Sequence, residues 1–160
     1  MEFPIWNNDA LGGGFWISLI ATLHVYVAHL AVGGGLFLIA VEIWADKNKS
    51  AKMFAYLKSH TRFFLLLSMV FGGLTGVGIW FTISVLAPAG TSLLIREFVF
   101  GWATEWIFFI GEIVALLIYY YTIDKMERKK HILIGFLYFV FAWLSLVIIN
   151  GIITFMLTPG

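Results

Sequence analysis

The side chains of this sequence that could do chemistry are ionisable groups set inside long apolar stretches. They are two histidines and three glutamates: His24, His29, Glu97, Glu105 and Glu112. An ionisable group within a membrane span costs about 2.5–3.5 kcal/mol, so each one needs a partner, a water-filled cavity or a cofactor. Because imidazoles bind metals and carboxylates exchange protons, the candidate chemistries are metal ligation and proton transfer.

The three glutamates lie along one predicted helix and near one of its faces. At about 100° per residue, Glu97, Glu105 and Glu112 fall within an arc of about 80°. Such a stripe suits a proton path, because each acid can exchange a proton with water or with the next acid. The alternative is structural pairing, for instance with Arg96 or a buried histidine. The cost of a carboxylate in lipid leads us to favour proton transfer for Glu105.

His24 lies nine residues after Phe15, at a depth of roughly 13 Å in its span. Glu105 lies at a similar depth from the same side, so the two residues could share one site. A neutral imidazole at this depth suits axial ligation of haem iron, although a lone buried histidine is more often a hydrogen-bonded packing residue. The sixth ligand of a haem iron bound through His24 would be a carboxylate, Met69 or a partner chain. Alternatively, the sixth position would stay open for a small molecule such as oxygen.

His29 lies five positions further along, about 140° round the helix, so both histidines cannot bind one iron. It is a candidate for a second haem, a partner subunit or a hydrogen bond. The other polar groups have simpler expectations. His60 and His131 lie in or beside basic loops and are expected to be solvated, and Glu42 is expected at the interface beside Lys47.

The elements that must position these groups are four apolar stretches. The chain of 160 residues is 61% hydrophobic and 12% charged, with a mean hydropathy of +0.96, which is more apolar surface than a globular core of this size could hide. Crossing about 30 Å of hydrocarbon takes about 20 helical residues. Four stretches meet that length: 15–44, 63–87, 98–123 and 132–155. We predict an all-α, integral membrane four-helix bundle forming a single transmembrane domain over residues 1–160.

The linkers between these spans, 45–62, 88–96 and 124–131, predict the orientation. Of the ten lysines and arginines, only Arg96 lies outside the first and third linkers. Cytoplasmic loops keep positive charge, so both termini are expected in the periplasm and the protein in the cell inner membrane. The net charge of +1, with its basic residues confined to loops, argues against a nucleic-acid partner.

The positions of the glycines and the absence of cysteine narrow the range of possible helix contacts and cofactors. Ser68, Gly72 and Gly76 form a small-residue ridge, which favours close packing against another helix. The alternative is that the absent side chains leave room for a flat macrocycle against the helix. Gly33, Gly34 and Gly35 mark a second tight place. The absence of cysteine excludes thiolate zinc sites, iron–sulfur clusters and covalently attached haem for this chain.

In their order along the chain, several segments resemble the N-terminal four helices of subunit I of cytochrome bd-type quinol oxidases. They are LIATLHVYVAHLAVGGGLFLIAVE, the glycine-rich FGGLTGVGIW, REFVFGWATEWIFFIGE with glutamates eight residues apart, and IINGIITFMLTPG. The resemblance spans nearly the whole chain. The quinol-binding loop, the low-spin haem ligands and the remaining helices of that family would follow residue 160, and FTISVLAPAG replaces an aromatic, charged stretch.

The resemblance implies that His24 is an axial ligand of a non-covalent haem, of b or d type. It also implies that Glu97 is a carboxylate at or near a haem iron and that Glu105 is the inner acid of a proton path. Asn150 matches an asparagine to which no role is assigned, and His29 and Glu112 look like additions. Other membrane subunits would supply the missing helices, and quinol would bind through them, with c-type cytochromes as further candidate partners.

The hypothesis from sequence is therefore a haem-binding membrane subunit of a bd-like respiratory complex, part of an oxidoreductase rather than a complete enzyme. It would pass electrons between quinol or cytochrome partners and an acceptor such as oxygen, with proton uptake through the glutamates. The first alternative is a non-catalytic membrane anchor of a redox complex. A third reading is a proton or ion channel built round the glutamate stripe.

Overall fold

In the computed structural model, which describes residues 5–6 and 10–157, all regular structure is helical. The helices are α1 (Gly12–Lys47), α2 (Ala51–Leu66), α3 (Gly73–Leu86), α4 (Pro88–Glu97), α5 (Val99–Thr122) and α6 (Arg128–Leu157), and a π-helical segment, Leu67–Gly72, joins α2 to α3 without a break. Four helices are long and apolar enough to cross a membrane: Gly12–Lys47, Ala51–Leu86, Val99–Thr122 and Arg128–Phe155. The prediction of an all-α chain with four such helices is confirmed.

The first predicted linker, 45–62, is mostly helix. Only Asn48, Lys49 and Ser50 separate α1 from α2. Lys49 has a positive φ of 49°, and the Ser50 side chain caps α2 by accepting a hydrogen bond from the Met53 amide at 3.4 Å. The lysine-rich stretch ends the apolar pattern, but most of it is helical, because lysine is a good helix former wherever water can reach it. The linker predicted over 45–62 is therefore much shorter in the structure.

The second predicted linker, 88–96, is also helical. α3 ends at Leu86, and Pro88 is the first residue of α4. Proline suits this position because the first residues of a helix have no intrahelical use for the N–H that proline lacks. The hydroxyl of Thr91 holds the junction by donating to the carbonyls of Ile83 and Ala87, at 3.0 and 2.9 Å.

The small-residue ridge lies against α1. A Cβ atom added at Gly72 would lie 3.3 Å from Val27, and one added at Gly76 would lie 3.1 Å from the ring of His24. Gly72 belongs to the π-helical segment, a local widening of the helix that is frequent at functional sites. Close packing of two helices, the favoured interpretation of the ridge, is confirmed at these two glycines.

The buried core lies towards the end of the bundle where α1 joins α2 and α5 joins α6, here called the basic end. Its largest hydrophobic members are Leu38, Leu57, Phe64, Leu116, Tyr119 and Tyr138. Towards the opposite end the helices bury much less: Thr75 is the buried residue of α3, and the buried residues of α5 begin at Ala115. Phe100 is 85% exposed there, so this half of the surface is left for lipid, a cofactor or other subunits.

Candidate functional site

His24 lies where α1 crosses the glycine-rich part of α3. Its Nδ1 atom is 3.1 Å from Oγ1 of Thr75, and its ring fills the space that a side chain at Gly76 would need. The ring is half-buried and also interacts with the carbonyl of Gly72. The glycine, the threonine and the histidine therefore form one contact between two helices.

The partners of Thr75 determine the direction of this hydrogen bond. The Thr75 hydroxyl faces the carbonyls of Phe71 and Gly72, at 2.8 and 3.1 Å, and a carbonyl oxygen can only accept. Since a hydroxyl has a single hydrogen, its oxygen is left to accept from the N–H at Nδ1 of His24. A neutral His24 then carries its lone pair on Nε2, which is the state that a metal-binding imidazole needs.

Glu105 lies between α5 and α6, and its partner is a serine. The hydroxyl of Ser145 donates to Oε1 of Glu105 at 2.7 Å. Glu112 lies two turns further along the same face of α5, half-buried and within electrostatic range of Glu105. Both acids are therefore partly covered by neighbouring residues. The partner of Glu105 is neither Arg96 nor a histidine, because no ion pair or hydrogen bond joins them in residues 10–157.

Glu97 does not continue the stripe on α5. It is the last residue of α4, and the chain changes direction at Phe98, which has φ −119° and ψ 27°, before α5 begins at Val99. The angular arithmetic that joined Glu97 to the other acids assumed one unbroken helix and was wrong on that point. Glu97 is exposed at the end opposite the basic end, so a role at a haem iron stays a prediction.

His29 faces outwards from α1. The N–H at its Nδ1 donates to the carbonyl of Val25, one turn earlier, at 2.8 Å. Three roles were considered for this residue. The described residues provide a partner for one of them, the hydrogen bond. A second haem or a partner subunit stays a prediction.

The residues predicted to share a site lie on two helix pairs. His24 belongs to the contact between α1 and α3, and Glu105 belongs to the contact between α5 and α6. The indole rings of Trp80 on α3 and Trp102 on α5 join the two pairs, with centroids 5.0 Å apart. Within the described part of the chain, no group of three or more histidines and acids is arranged to hold a metal ion. Haem, which can take one axial ligand from the chain, does not require such a group.

A polar cluster that the sequence reasoning missed lies at the basic end. Glu42 is fully buried and accepts three hydrogen bonds: from the Tyr119 hydroxyl at 2.6 Å, from Arg128 at 2.7 Å and from His131 at 2.7 Å. The expectations of an interfacial Glu42 and a solvated His131 were therefore wrong. The four residues join α1, α5 and α6, and we call them the Glu42 cluster.

His131 links Glu42 to the backbone of α5. Its Nδ1 atom is 2.7 Å from the Glu42 carboxylate, and its Nε2 atom is 2.7 Å from the Tyr119 carbonyl. The same carboxylate oxygen forms an ion pair with Arg128 at 2.7 Å. The cluster therefore satisfies a fully buried carboxylate with partners from two other helices.

Comparison of this chain with protein-family models, with curated proteins and with solved structures finds no match. The resemblance to cytochrome bd-type quinol oxidases therefore rests on the sequence segments alone.

Proposed function

We propose that this chain is a haem-binding membrane subunit of a cytochrome bd-like respiratory complex. It works with other membrane subunits, which supply the missing helices and the quinol site, and with quinol or c-type cytochromes as electron donors. Oxygen is one candidate acceptor. The observation that carries the proposal is the hydrogen bond from His24 to Thr75, because it leaves an unprotonated Nε2 at membrane depth.

The residues present fit a non-covalent haem of b or d type. His24 would hold the iron through Nε2, and Thr75 would orient the imidazole through Nδ1, as the outer partners of ligating histidines commonly do. Because Gly76 has no side chain, the histidine ring packs directly against α3. When bound, a haem would supply one-electron transfer and, with one axial position open, a site for oxygen. Glu97 is the candidate for a carboxylate near the iron.

Glu105 is proposed to hold and release a proton for the same complex. The Ser145 hydroxyl at 2.7 Å fixes one carboxylate oxygen, and Glu112, on the same face of α5, is the next acid towards the basic end. Their spacing of seven residues corresponds to about 10 Å along the helix, so transfer between them needs an intervening water. Both carboxylates lie where uptake of a proton would remove a costly charge from the membrane interior.

The proposed location is the cell inner membrane, with both termini in the periplasm. The support is the distribution of basic side chains: nine of the ten lysines and arginines lie at the basic end of the bundle. Positive charge is retained on the cytoplasmic side during insertion. In this orientation His24 and Glu105 lie in the periplasmic half of the membrane, and the Glu42 cluster lies near the cytoplasm.

The test of haem ligation is His24→Ala, assayed in the assembled complex by a reduced-minus-oxidised spectrum and by pigment extraction. We expect the loss of one haem, or a shift of its bands, because the only proposed protein ligand to that iron is removed. His60→Ala is the matched control, because His60 packs against the rings of Phe37 on α1 and Tyr56 on α2 and has no proposed cofactor role. A haem complement and spectrum unchanged in His24→Ala would refute the ligand assignment.

The proton role predicts a different result for Glu105→Gln. Glutamine keeps the shape and still accepts from Ser145, but it cannot take up a proton. The complex should assemble with an unchanged spectrum, and its turnover should fall by about a hundredfold, the lower end of the contribution of a proton-transfer group. Stopped-flow turnover across pH measures the effect. Normal turnover with a lowered melting temperature would instead show that Glu105 is structural.

A non-catalytic membrane anchor is the second candidate. The observation that favours it is the uneven packing of the bundle. The half towards the basic end contains the buried core, while the other half exposes its apolar side chains. An anchor could use that exposed half to bind partner helices. This reading predicts no haem signal that responds to His24→Ala, so the same spectrum separates the two functions.

A further inference from the structure

We propose that the basic end of the bundle contains a binding site for the phosphate headgroup of an anionic phospholipid. The site is a cavity of about 350 Å³ between the start of α2 and the turn from α5 to α6. It is lined by Ala51, Phe54, Ala55, Lys58, Ile123, Asp124 and Arg128. This inference is independent of haem binding; it rests on the proposed placement of the basic end at the cytoplasmic side of the membrane.

Arg128 is the anchor of the site, because other contacts already hold its guanidinium in place. Its Nη1 donates to Glu42 at 2.7 Å, and its planar group lies over the ring of Phe54 at 4.4 Å. Arg128 thus borders the cavity while its head group is fixed from two directions. A guanidinium held in this way binds phosphate with little further loss of side-chain freedom, and its planar fork matches phosphate oxygens.

The charge balance of the region favours an anion. The basic end carries nine lysines and arginines but four acids, Glu42, Asp46, Asp124 and Glu127. Of the charged lining residues, Lys58 and Asp124 form an ion pair at 2.6 Å and cancel. That pair is about half exposed, so it stabilises the fold little, and Lys58 can turn towards a bound phosphate at small cost. The positive charge at this end of the bundle therefore exceeds what its own carboxylates balance.

The surroundings favour a lipid over a free anion. The cavity lies at the end of the bundle that carries the lysines and arginines, where a membrane-spanning helix pair meets the headgroup layer. Ala51 and Ala55 leave room on α2, and Ile123 and Phe54 provide apolar surface for the glycerol and the first acyl carbons. Basic pockets between membrane helices on this side are the sites that anionic headgroups occupy.

The experiment measures the thermal stability of the full-length chain, in neutral detergent, while phosphatidylglycerol is added. A ligand that binds only the folded state raises the melting temperature. We expect phosphatidylglycerol to raise it and phosphatidylcholine, which has no net charge, to leave it unchanged. Inorganic phosphate is the third arm. Protection by phosphate as strong as protection by phosphatidylglycerol would overturn the lipid assignment, and so would equal protection by the two lipids.

Charge-matched variants separate a site from diffuse attraction to a basic surface. Lys58→Gln removes one positive charge from the cavity and should weaken phosphatidylglycerol binding about fivefold, the contribution of one cation near anionic lipid. Lys130→Gln removes the same charge from an exposed position that pairs with Glu127, and it should have little effect. Asp124→Asn should tighten binding. Equal weakening by the two lysine variants would overturn the proposal. Arg128 is left intact, because its loss would also unpair Glu42.

Discussion

Replacement of Glu42 by alanine should destabilise the protein by about 3–5 kcal/mol, the usual cost of removing one partner from a buried ion pair. Glu42 is fully buried and is the common acceptor for Tyr119, Arg128 and His131. Without it, the Arg128 guanidinium, the His131 ring and the Tyr119 hydroxyl lose their common partner. Thermal denaturation of the purified chain in detergent measures the loss as a lowered melting temperature.

Two further variants identify the source of this effect. Glu127→Ala also removes one carboxylate at the basic end, but Glu127 forms an exposed ion pair with Lys130 and its loss should cost less than about 1 kcal/mol. Glu42→Leu combined with Arg128→Leu and His131→Leu removes the whole set of charges and should recover much of the lost stability, because apolar replacement of buried ion pairs is often neutral. If Glu42→Ala and Glu127→Ala melt at the same temperature, the cluster is not a stabilising element.

Sequence reasoning missed this cluster because its members are far apart in the chain. Tyr119, Arg128 and His131 lie 77, 86 and 89 residues after Glu42, and no local pattern connects them. Each residue taken alone has a simpler interpretation at a helix end, where water and headgroups are close. One signal could have predicted the cluster, because its charged members lie at a similar depth in the bundle. The carboxylate is near the end of the first helix, and the arginine and the histidine are at the start of the last helix, so they meet at one membrane surface.

The number and type of the spans followed from composition, because apolar stretches of about 20 residues in lipid have few alternatives to helix. The ends of the helices did not follow from composition. α1 ends at Lys47 and α2 begins at Ala51, in a charged stretch where hydropathy carries no information about secondary structure. Pro88 begins α4 soon after α3 has ended. The break at Phe98 was the most consequential miss, since it separates Glu97 from the stripe on α5.

For the candidate site, the sequence predicted the residues but not their partners. The depth and spacing of His24 and Glu105 marked both as unusual, and the structure places both inside helix contacts. The partners Thr75 and Ser145 carry no signal of their own, because threonine and serine are common in membrane helices and usually bond to their own backbone. The state of the His24 ring depends on such a bond, between Thr75 and Phe71, and only the folded chain brings the three residues together.

The glycine run of α1 gives the last prediction, because its three members have different surroundings. A Cβ atom at Gly35 would overlap the ring of Tyr138. That ring is fixed, since it is 2% exposed and its hydroxyl donates to the Ala31 carbonyl at 2.9 Å. A Cβ atom at Gly33, which points to the opposite side of α1, would meet open space. We therefore expect Gly35→Ala to destabilise the bundle by about 1–3 kcal/mol through overpacking, whereas Gly33→Ala gains up to about 1 kcal/mol of helix propensity.

The pair Gly33→Ala and Gly35→Ala is closely matched, because both variants add one methyl group to one helix two residues apart. Any general effect of alanine on α1 cancels between them, and the difference in melting temperature isolates the contact with α6. Tyr138→Leu shortens the opposing side chain, so it should cost less in the Gly35→Ala background than in the wild-type chain. Additive effects in this double-mutant cycle would contradict a steric contact. Equal melting temperatures for the two glycine variants would mean that α1 and α6 can separate freely at Gly35.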